Sequence, residues 1–241
     1  MLKVFFYSLI IIISINCDKV KVEQSKKLKP AKTYSLKISE PSDVVLNKGK
    51  LWIVSDRKST VYQTDLKGNI ENHFKINKTD LEGITIFDDS LIAVALELSR
   101  KIIITDFGGN EISITSLNIE GNKNSGLEGI TYNPTNSHFF LVNEKDPVLL
   151  LETDKNLKEI KRKKIKYVKD LSAVCFSPKE KCLWLLSDED RKIIKSDLEG
   201  EPISEYKINV EQPEGIAVDE KNKLIYIVSD KEEKLYVYEI E

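Results

Sequence analysis

Asp80-Leu-Glu-Gly-Ile84 is one of five versions of a motif that recurs along this chain of 241 residues. The other versions are Glu40-Pro-Ser-Asp-Val44, Gly126-Leu-Glu-Gly-Ile130, Asp170-Leu-Ser-Ala-Val174 and Gln212-Pro-Glu-Gly-Ile216. Their third residues are 40, 46, 44 and 42 positions apart, and a period of this length is typical of repeated structural units. The motif therefore predicts five units.

Each unit carries further strand signals after the motif. An apolar run that closes on an acid comes next, as in Leu51–Asp56, Leu91–Glu97, Phe139–Glu144, Leu183–Asp188 and Ile225–Asp230. Asp followed by a Gly-containing turn, as in Tyr62–Gly68 and Lys195–Gly200, then predicts a hairpin into a fourth strand. Four short strands, the second apolar on both faces, are typical of a propeller blade.

The two ends of the repeat predict how the ring closes. The last unit stops after its third strand, 234–241, and the strand-like segment 33–39 precedes the first motif. Pairing the two would remove an open sheet edge. We therefore predict an all-β fold, a five-bladed β-propeller of four-stranded blades whose N-terminal strand completes the last blade.

Composition indicates one domain and no nucleic-acid partner. The full chain has 41% hydrophobic residues, and residues 33–241 are predicted to form a single propeller domain. The 37 Lys and Arg residues nearly balance the 39 Asp and Glu residues. The basic run Lys158–Lys166 is predicted to be a solvated edge strand.

The N-terminus has the features of an export signal. Lys3 precedes an apolar stretch, Val4–Ile15, and Cys17 follows it, so we predict a signal peptide over 1–17. Ser14-Ile-Asn-Cys17 resembles a relaxed bacterial lipoprotein site, which would make Cys17 the lipidated residue and the bacterial membrane a partner. The expected location is then the cell envelope, with secretion or a periplasmic location as the alternative. Residues 18–32 are predicted to be a flexible tether.

Two further cysteines lie on consecutive predicted strands. A hairpin loop over Pro178–Lys181 would place Cys182 opposite Ser177 and Cys175 opposite Trp184. The two thiols would not face each other, so the register favours free, buried thiols over a disulfide.

The third residue of each motif is expected to line the central channel, because the first strand of a blade is the innermost. These residues are Ser42, Glu82, Glu128, Ser172 and Glu214, and we call them the ring. The three glutamates should raise one another's pKa unless a cation compensates, and their oxygen donors suit Ca²⁺. The alternative is that they cap strand ends through backbone hydrogen bonds.

A second set of acids, which we call the rim acids, should share this face, because the second strand runs antiparallel to the first. They are Asp56, Glu97, Glu144, Asp188 and Asp230. A base follows each within three residues, namely Arg57, Arg100, Lys145, Arg191 and Lys231. One interpretation is a rim of ion pairs, and the other is a polar mouth whose bases bind an anionic ligand.

The motifs together resemble the SdiA-regulated, YjiK-like family over nearly all of 33–241, and the order Ser, Glu, Glu, Ser, Glu is also the family's. The resemblance implies a bacterial envelope propeller of undetermined activity with a calcium-type site in the channel. More distantly, Glu-Gly at an inner strand start is similar to gluconolactonase-like propellers, which implies Glu82, Glu128 and Glu214 as metal ligands. Asp43 and Ala173 depart from the family by replacing the Gly that follows each Ser.

Catalysis has little support in the sequence. No Gly-x-Ser-x-Gly motif occurs, and His73 and His138 lie off the ring, which argues against a serine hydrolase or a zinc site. The leading hypothesis is a module that binds a small ligand or an envelope protein. The alternative is a divalent-metal hydrolase of esters, lactones or phosphoesters on the same scaffold.

Overall fold

The computed structural model of this protein describes residues 26–122 and 125–240. The predicted signal peptide, Cys17 and the first part of the predicted tether, residues 18–25, lie outside the described residues. Within the described ranges, no helix has both the length and the apolar character needed to cross a membrane.

Regular structure in the described ranges consists of short β-strands. In chain order they are β1 (Lys26–Lys27), β2 (Lys32–Ser35), β3 (Pro41–Asn47), β4 (Lys50–Ser55), β5 (Thr60–Thr64), β6 (Ile70–Lys75), β7 (Leu81–Phe87), β8 (Leu91–Leu96), β9 (Lys101–Thr105), β10 (Glu111–Ser116), β11 (Leu127–Asn133), β12 (His138–Asn143), β13 (Leu149–Thr153), β14 (Glu159–Lys164), β15 (Ala173–Ser177), β16 (Cys182–Ser187), β17 (Lys192–Ser196), β18 (Pro202–Lys207), β19 (Pro213–Asp219), β20 (Leu224–Ser229) and β21 (Lys234–Glu239).

These strands form the five blades that the repeat predicts. Blades one to four consist of β3–β6, β7–β10, β11–β14 and β15–β18, and blade five consists of β19, β20, β21 and β2. The first strand of each blade is innermost and contacts the first strands of its neighbours. The motif therefore marks the start of every inner strand, which is why its period counts the blades.

The N-terminal strand closes the ring as predicted. β2 pairs antiparallel with β21, with Thr33 opposite Tyr236 and Ser35 opposite Lys234. Within the predicted tether, β1 adds a short parallel strand to the outer edge of blade four through β18. Leu28 then packs against the apolar cluster between blades four and five.

The core lies between neighbouring blades because the second strand is apolar on both faces. In β8, for example, Ala93 and Ala95 pack toward blade three while Ile92 and Val94 pack toward blade one. Each fully buried side chain of Val or Ile size contributes about 1.5–3 kcal/mol. The outer strand β14 is largely exposed, as expected for a solvated edge.

The cysteine register agrees with the prediction. Cys175 pairs with Trp184 and Cys182 with Ser177, and both thiols are free. Cys182 is buried, whereas Cys175 is partly exposed to a cavity at the end of the channel where the inner strands finish. Burial raises the pKa of Cys175 to about 12 and that of Cys182 to about 11.

We expect both thiols of a protein spanning residues 26–241 to resist thiol reagents until the protein unfolds, because burial keeps them protonated. Ellman's reagent at pH 8 should report slow labelling of the native protein and two thiols per chain in denaturant without reductant. Cys175→Ser should leave one. A denatured count of zero would instead mean that the cysteines form a disulfide.

Candidate cation site in the channel mouth

A β-bulge turns four of the five ring residues toward the channel. The pairing of the first two strands shifts register around Ser42, Glu82, Glu128 and Glu214, so each bulge contains the third residue of the motif. A bulge inserts an extra residue and re-aims its side chain. In blade four, Ser172 instead lies just before β15 and donates its hydroxyl to the carbonyl of Pro213 at 2.8 Å.

The ring and most rim acids surround one cavity of about 200 Å³ at the end of the channel where the inner strands begin. We call this cavity the channel mouth. Among the described residues, nine carboxylate residues and two serines line it, and no Lys or Arg does. They are Glu40, Ser42, Asp56, Glu82, Glu128, Glu144, Asp170, Ser172, Asp188, Glu214 and Asp230. The structure thus brings the predicted residues together, with Glu97 placed just outside the lining.

Three acids of this region were missed by the sequence prediction, namely Glu40, Asp80 and Asp170. Each is the first residue of its motif, so the signal was present in the repeat. Asp170 is buried and accepts hydrogen bonds from the Ser187 hydroxyl at 2.5 Å and the Asp188 amide at 2.9 Å. It therefore holds the turn that carries one of the rim acids.

Carboxylates in and directly beside the mouth form two triads. One contains Asp56, Asp80 and Glu82, and the other contains Glu97, Glu128 and Glu144. In each triad, one carboxylate oxygen from every residue lies within 4.8 Å of the others. Oxygens on opposite sides of a bound Ca²⁺ are about 4.6–5.2 Å apart, since each Ca–O distance is about 2.3–2.6 Å. Glu214 belongs to neither triad.

Burial and like charge both favour protonation of the ring glutamates. Burial is the main cause that raises the pKa of Glu82 and Glu128 well above the ordinary value, and neighbouring carboxylates add to it. Burial also raises the pKa of Glu214 to about 8, and the negative charges of Asp188 and Asp230 are the next largest causes. Without a cation, the mouth therefore holds protons at neutral pH.

Two of the rim acids, rather than the ring glutamates, cap inner strands. Asp56 accepts a hydrogen bond from the Leu81 amide at 3.1 Å, and Glu97 accepts one from the Gly126 amide at 3.3 Å. Each bond joins one blade to the next. In contrast, no hydrogen bond to another described residue engages the carboxylates of the three ring glutamates, which stay available to a ligand.

The prediction that each rim acid pairs with the base that follows it in the sequence was wrong for most of the five acids. Lys145 pairs with Glu144 at 2.7 Å as predicted. Arg57 instead pairs with Glu40 at 2.7 Å, and Lys231 pairs with Glu211 at 2.8 Å. Arg100 donates to the carbonyl of Asn122, and Arg191 is not in an ion pair within the described ranges. The described lining of the mouth therefore keeps a large excess of acidic side chains over basic ones.

Comparisons with known proteins agree with this architecture. A family model described as SdiA-regulated matches residues 39–238. The crystal structure of Myxococcus xanthus glutaminyl cyclase superposes with a TM-score of 0.72 at 11% identity, covering 89% of this chain and 96% of that one. A streptogramin B lyase structure superposes with a TM-score of 0.54 at 16% identity, covering 87% and 72%. At these identities, the similarity to both structures is one of fold.

Proposed function

The chain belongs to the SdiA-regulated family, and from its acidic channel mouth we propose that it is a binding module of the bacterial cell envelope that holds a divalent cation of the Ca²⁺ type. The observation that carries the proposal is the concentration of nine carboxylate residues, without a lining base, in about 200 Å³. Such a group of like charges is costly unless protons or a cation compensate it.

The donor set fits a hard cation. Either triad would supply three carboxylates to a cation, one through Glu82 with Asp56 and Asp80 and the other through Glu128 with Glu97 and Glu144. Glu214 would add negative charge to the same mouth. Ca²⁺ takes six to eight oxygen ligands in flexible geometry, whereas zinc prefers His and Cys, which are absent from the described lining.

The cation would also decide what else binds. An empty mouth repels anionic groups, so the proposed ligand, a small anionic molecule or an acidic segment of an envelope protein, would bind only after the cation. Coordination positions not filled by protein oxygens would then face the open end of the channel. For location, the apolar stretch Val4–Ile15 followed by Cys17 supports a lipid anchor in the bacterial membrane.

A divalent-metal hydrolase is the second candidate, and the pKa of Glu214 favours it. A carboxyl group with a pKa of about 8 is largely protonated at neutral pH and can act as a general acid. The cation would supply Lewis acidity toward a carbonyl or phosphoryl oxygen. Two proteins of the same fold are, by their names, a cyclase and a lyase.

Calorimetric titration of Ca²⁺ into the EDTA-treated protein tests the cation site. We expect saturable binding that weakens at least about tenfold in Glu128→Gln, since loss of one charged ligand costs at least about 1.4 kcal/mol. Glu201→Gln, an exposed carboxylate on the outer side of blade four, should bind like the wild type. Absence of binding at millimolar Ca²⁺ would refute the site. Turnover of ester, lactone or phosphoester substrates by the Ca²⁺-loaded protein would favour the hydrolase.

A further inference from the structure

Asp43 is a carboxylate buried between the blades, directly after Ser42 of the ring. Its side chain is 1% exposed and lines neither the channel mouth nor the larger cavity of about 670 Å³ at the opposite end of the channel. Its charge acts on Glu214 on one side and on Cys175 on the other. Asp43 therefore lies between the two cavities, directly beneath the ring.

The carboxylate of Asp43 joins blades one and two through hydrogen bonds and lies against the inner strand of blade five. Its Oδ1 accepts a hydrogen bond from the Val44 amide at 2.7 Å in its own blade, and its Oδ2 accepts one from the Ile84 amide of blade two at 2.9 Å. The Ile216 amide of blade five also faces it and lowers its pKa, although burial outweighs this and raises the pKa overall.

The Ile84 and Ile216 amides, which belong to the two neighbouring blades, lie close in sequence to ring glutamates. Ile84 stands two residues after Glu82, and Ile216 stands two residues after Glu214. The backbone is closely packed here, since a Cβ added to Gly215 would lie 2.6 Å from the Cα of Asp43. Small changes at Asp43 must therefore be transmitted to the bulges that carry Glu82 and Glu214.

We propose that Asp43 is a positioning residue, which holds the Ile84 and Ile216 amides and thereby fixes where Glu82 and Glu214 project into the channel mouth. Its effect on cation affinity rests on the proposed function, whereas its hold on the two amides does not. In this chain, the carboxylate at the first serine motif would thus set the geometry of two glutamate motifs.

Replacing Asp43 by Asn tests this role, because the Asn side chain has nearly the same shape as that of Asp. The Asn side chain offers one acceptor oxygen and one NH₂ donor, so it cannot accept hydrogen bonds on both sides. Asp43→Asn should leave the NH₂ facing either the Ile84 amide N–H of blade two or the Val44 amide N–H of its own blade. Asp43→Gly, which removes the carboxylate altogether, should release the amides that it holds.

A matched control is available in Thr131, whose buried hydroxyl accepts a hydrogen bond from the Phe176 amide at 3.0 Å. This bond joins blades three and four without touching Asp43. Thr131→Val should therefore lower stability while leaving Ca²⁺ affinity within about twofold of the wild type, a free-energy change of about 0.4 kcal/mol.

The test combines amide hydrogen exchange by NMR with Ca²⁺ calorimetry on the same variants. In Asp43→Gly, which removes both acceptor oxygens, we expect exchange at Ile84 or Ile216 to accelerate at least about tenfold and Ca²⁺ affinity to fall about tenfold, each corresponding to about 1.4 kcal/mol. Unchanged exchange at both amides would overturn the inference, and so would an equal loss of affinity in Thr131→Val. A wild type that binds no Ca²⁺ would refute the proposed function, while exchange would still decide whether Asp43 holds the amides.

Discussion

The cation-free protein is expected to lose roughly 2–4 kcal/mol of unfolding free energy between pH 5.5 and pH 8.5, where one pKa unit corresponds to about 1.4 kcal/mol. The folded-state pKa of Glu82, Glu128 and Glu214 is raised, to about 8 for Glu214. Between the ordinary glutamate pKa and these values, the folded state binds more protons than the unfolded state, so stability falls as pH rises. Urea unfolding in EDTA at several pH values measures this slope.

Glu214→Gln isolates the cause of the slope, because the amide cannot ionise. We expect this variant to lose less stability across the same pH window and to exceed the wild type at pH 8.5. Glu201→Gln, which removes an exposed carboxylate of similar size, should keep the wild-type slope. Saturating Ca²⁺ should flatten the slope in the wild type, because it stabilises the ionised mouth. Constant or rising stability toward pH 8.5 without cation would contradict the protonated ring.

The sequence was sufficient to predict the architecture because each blade repeats its own local instructions. The motif stands where every inner strand begins, and the apolar run after it can be buried only between two neighbours. The last blade lacked a fourth strand and the N-terminal strand had no blade of its own, so pairing the two was the way to close the ring. The pairing of β2 with β21 is that closure. The repeated motif and the apolar runs are short segments of neighbouring residues, so they can be recognised in a single sequence.

The site was predicted less fully because its contacts join residues of different blades. Arg57 stands beside Asp56 in the sequence, yet it pairs with Glu40, which directly precedes the neighbouring strand β3. Asp56 caps the inner strand of blade two through Leu81 instead. Such partners depend on the turn geometry at the mouth, which the spacing of charges along a strand does not specify. The role of Asp43 was hidden for the same reason, since its partner amides are far away in sequence.

Close contact between inner strands should make Gly83→Ala strongly destabilising, by about 3 kcal/mol, near the upper end of typical overpacking costs. A Cβ at Gly83 would lie 2.7 Å from the carbonyl oxygen of Glu128, the Cα of Gly129 and the amide nitrogen of Ile130. All three are backbone atoms of blade three, which cannot rotate away. Thermal unfolding should show a melting temperature lower by about 6–12 °C, given about 2–4 °C per kcal/mol for a domain of this size.

Gly108→Ala is the matched control for this prediction. A Cβ there would meet side-chain atoms of Asp106 and Asn110, the nearest at 3.2 Å, and these can shift. We expect it to cost less than about 1 kcal/mol, as for a replacement that the local structure can accommodate. If Gly83→Ala were as stable as this control, blades two and three could separate at the motif. The separation of Glu82 from Glu128 would then be adjustable, and a cation site built on fixed inner strands would lose its basis.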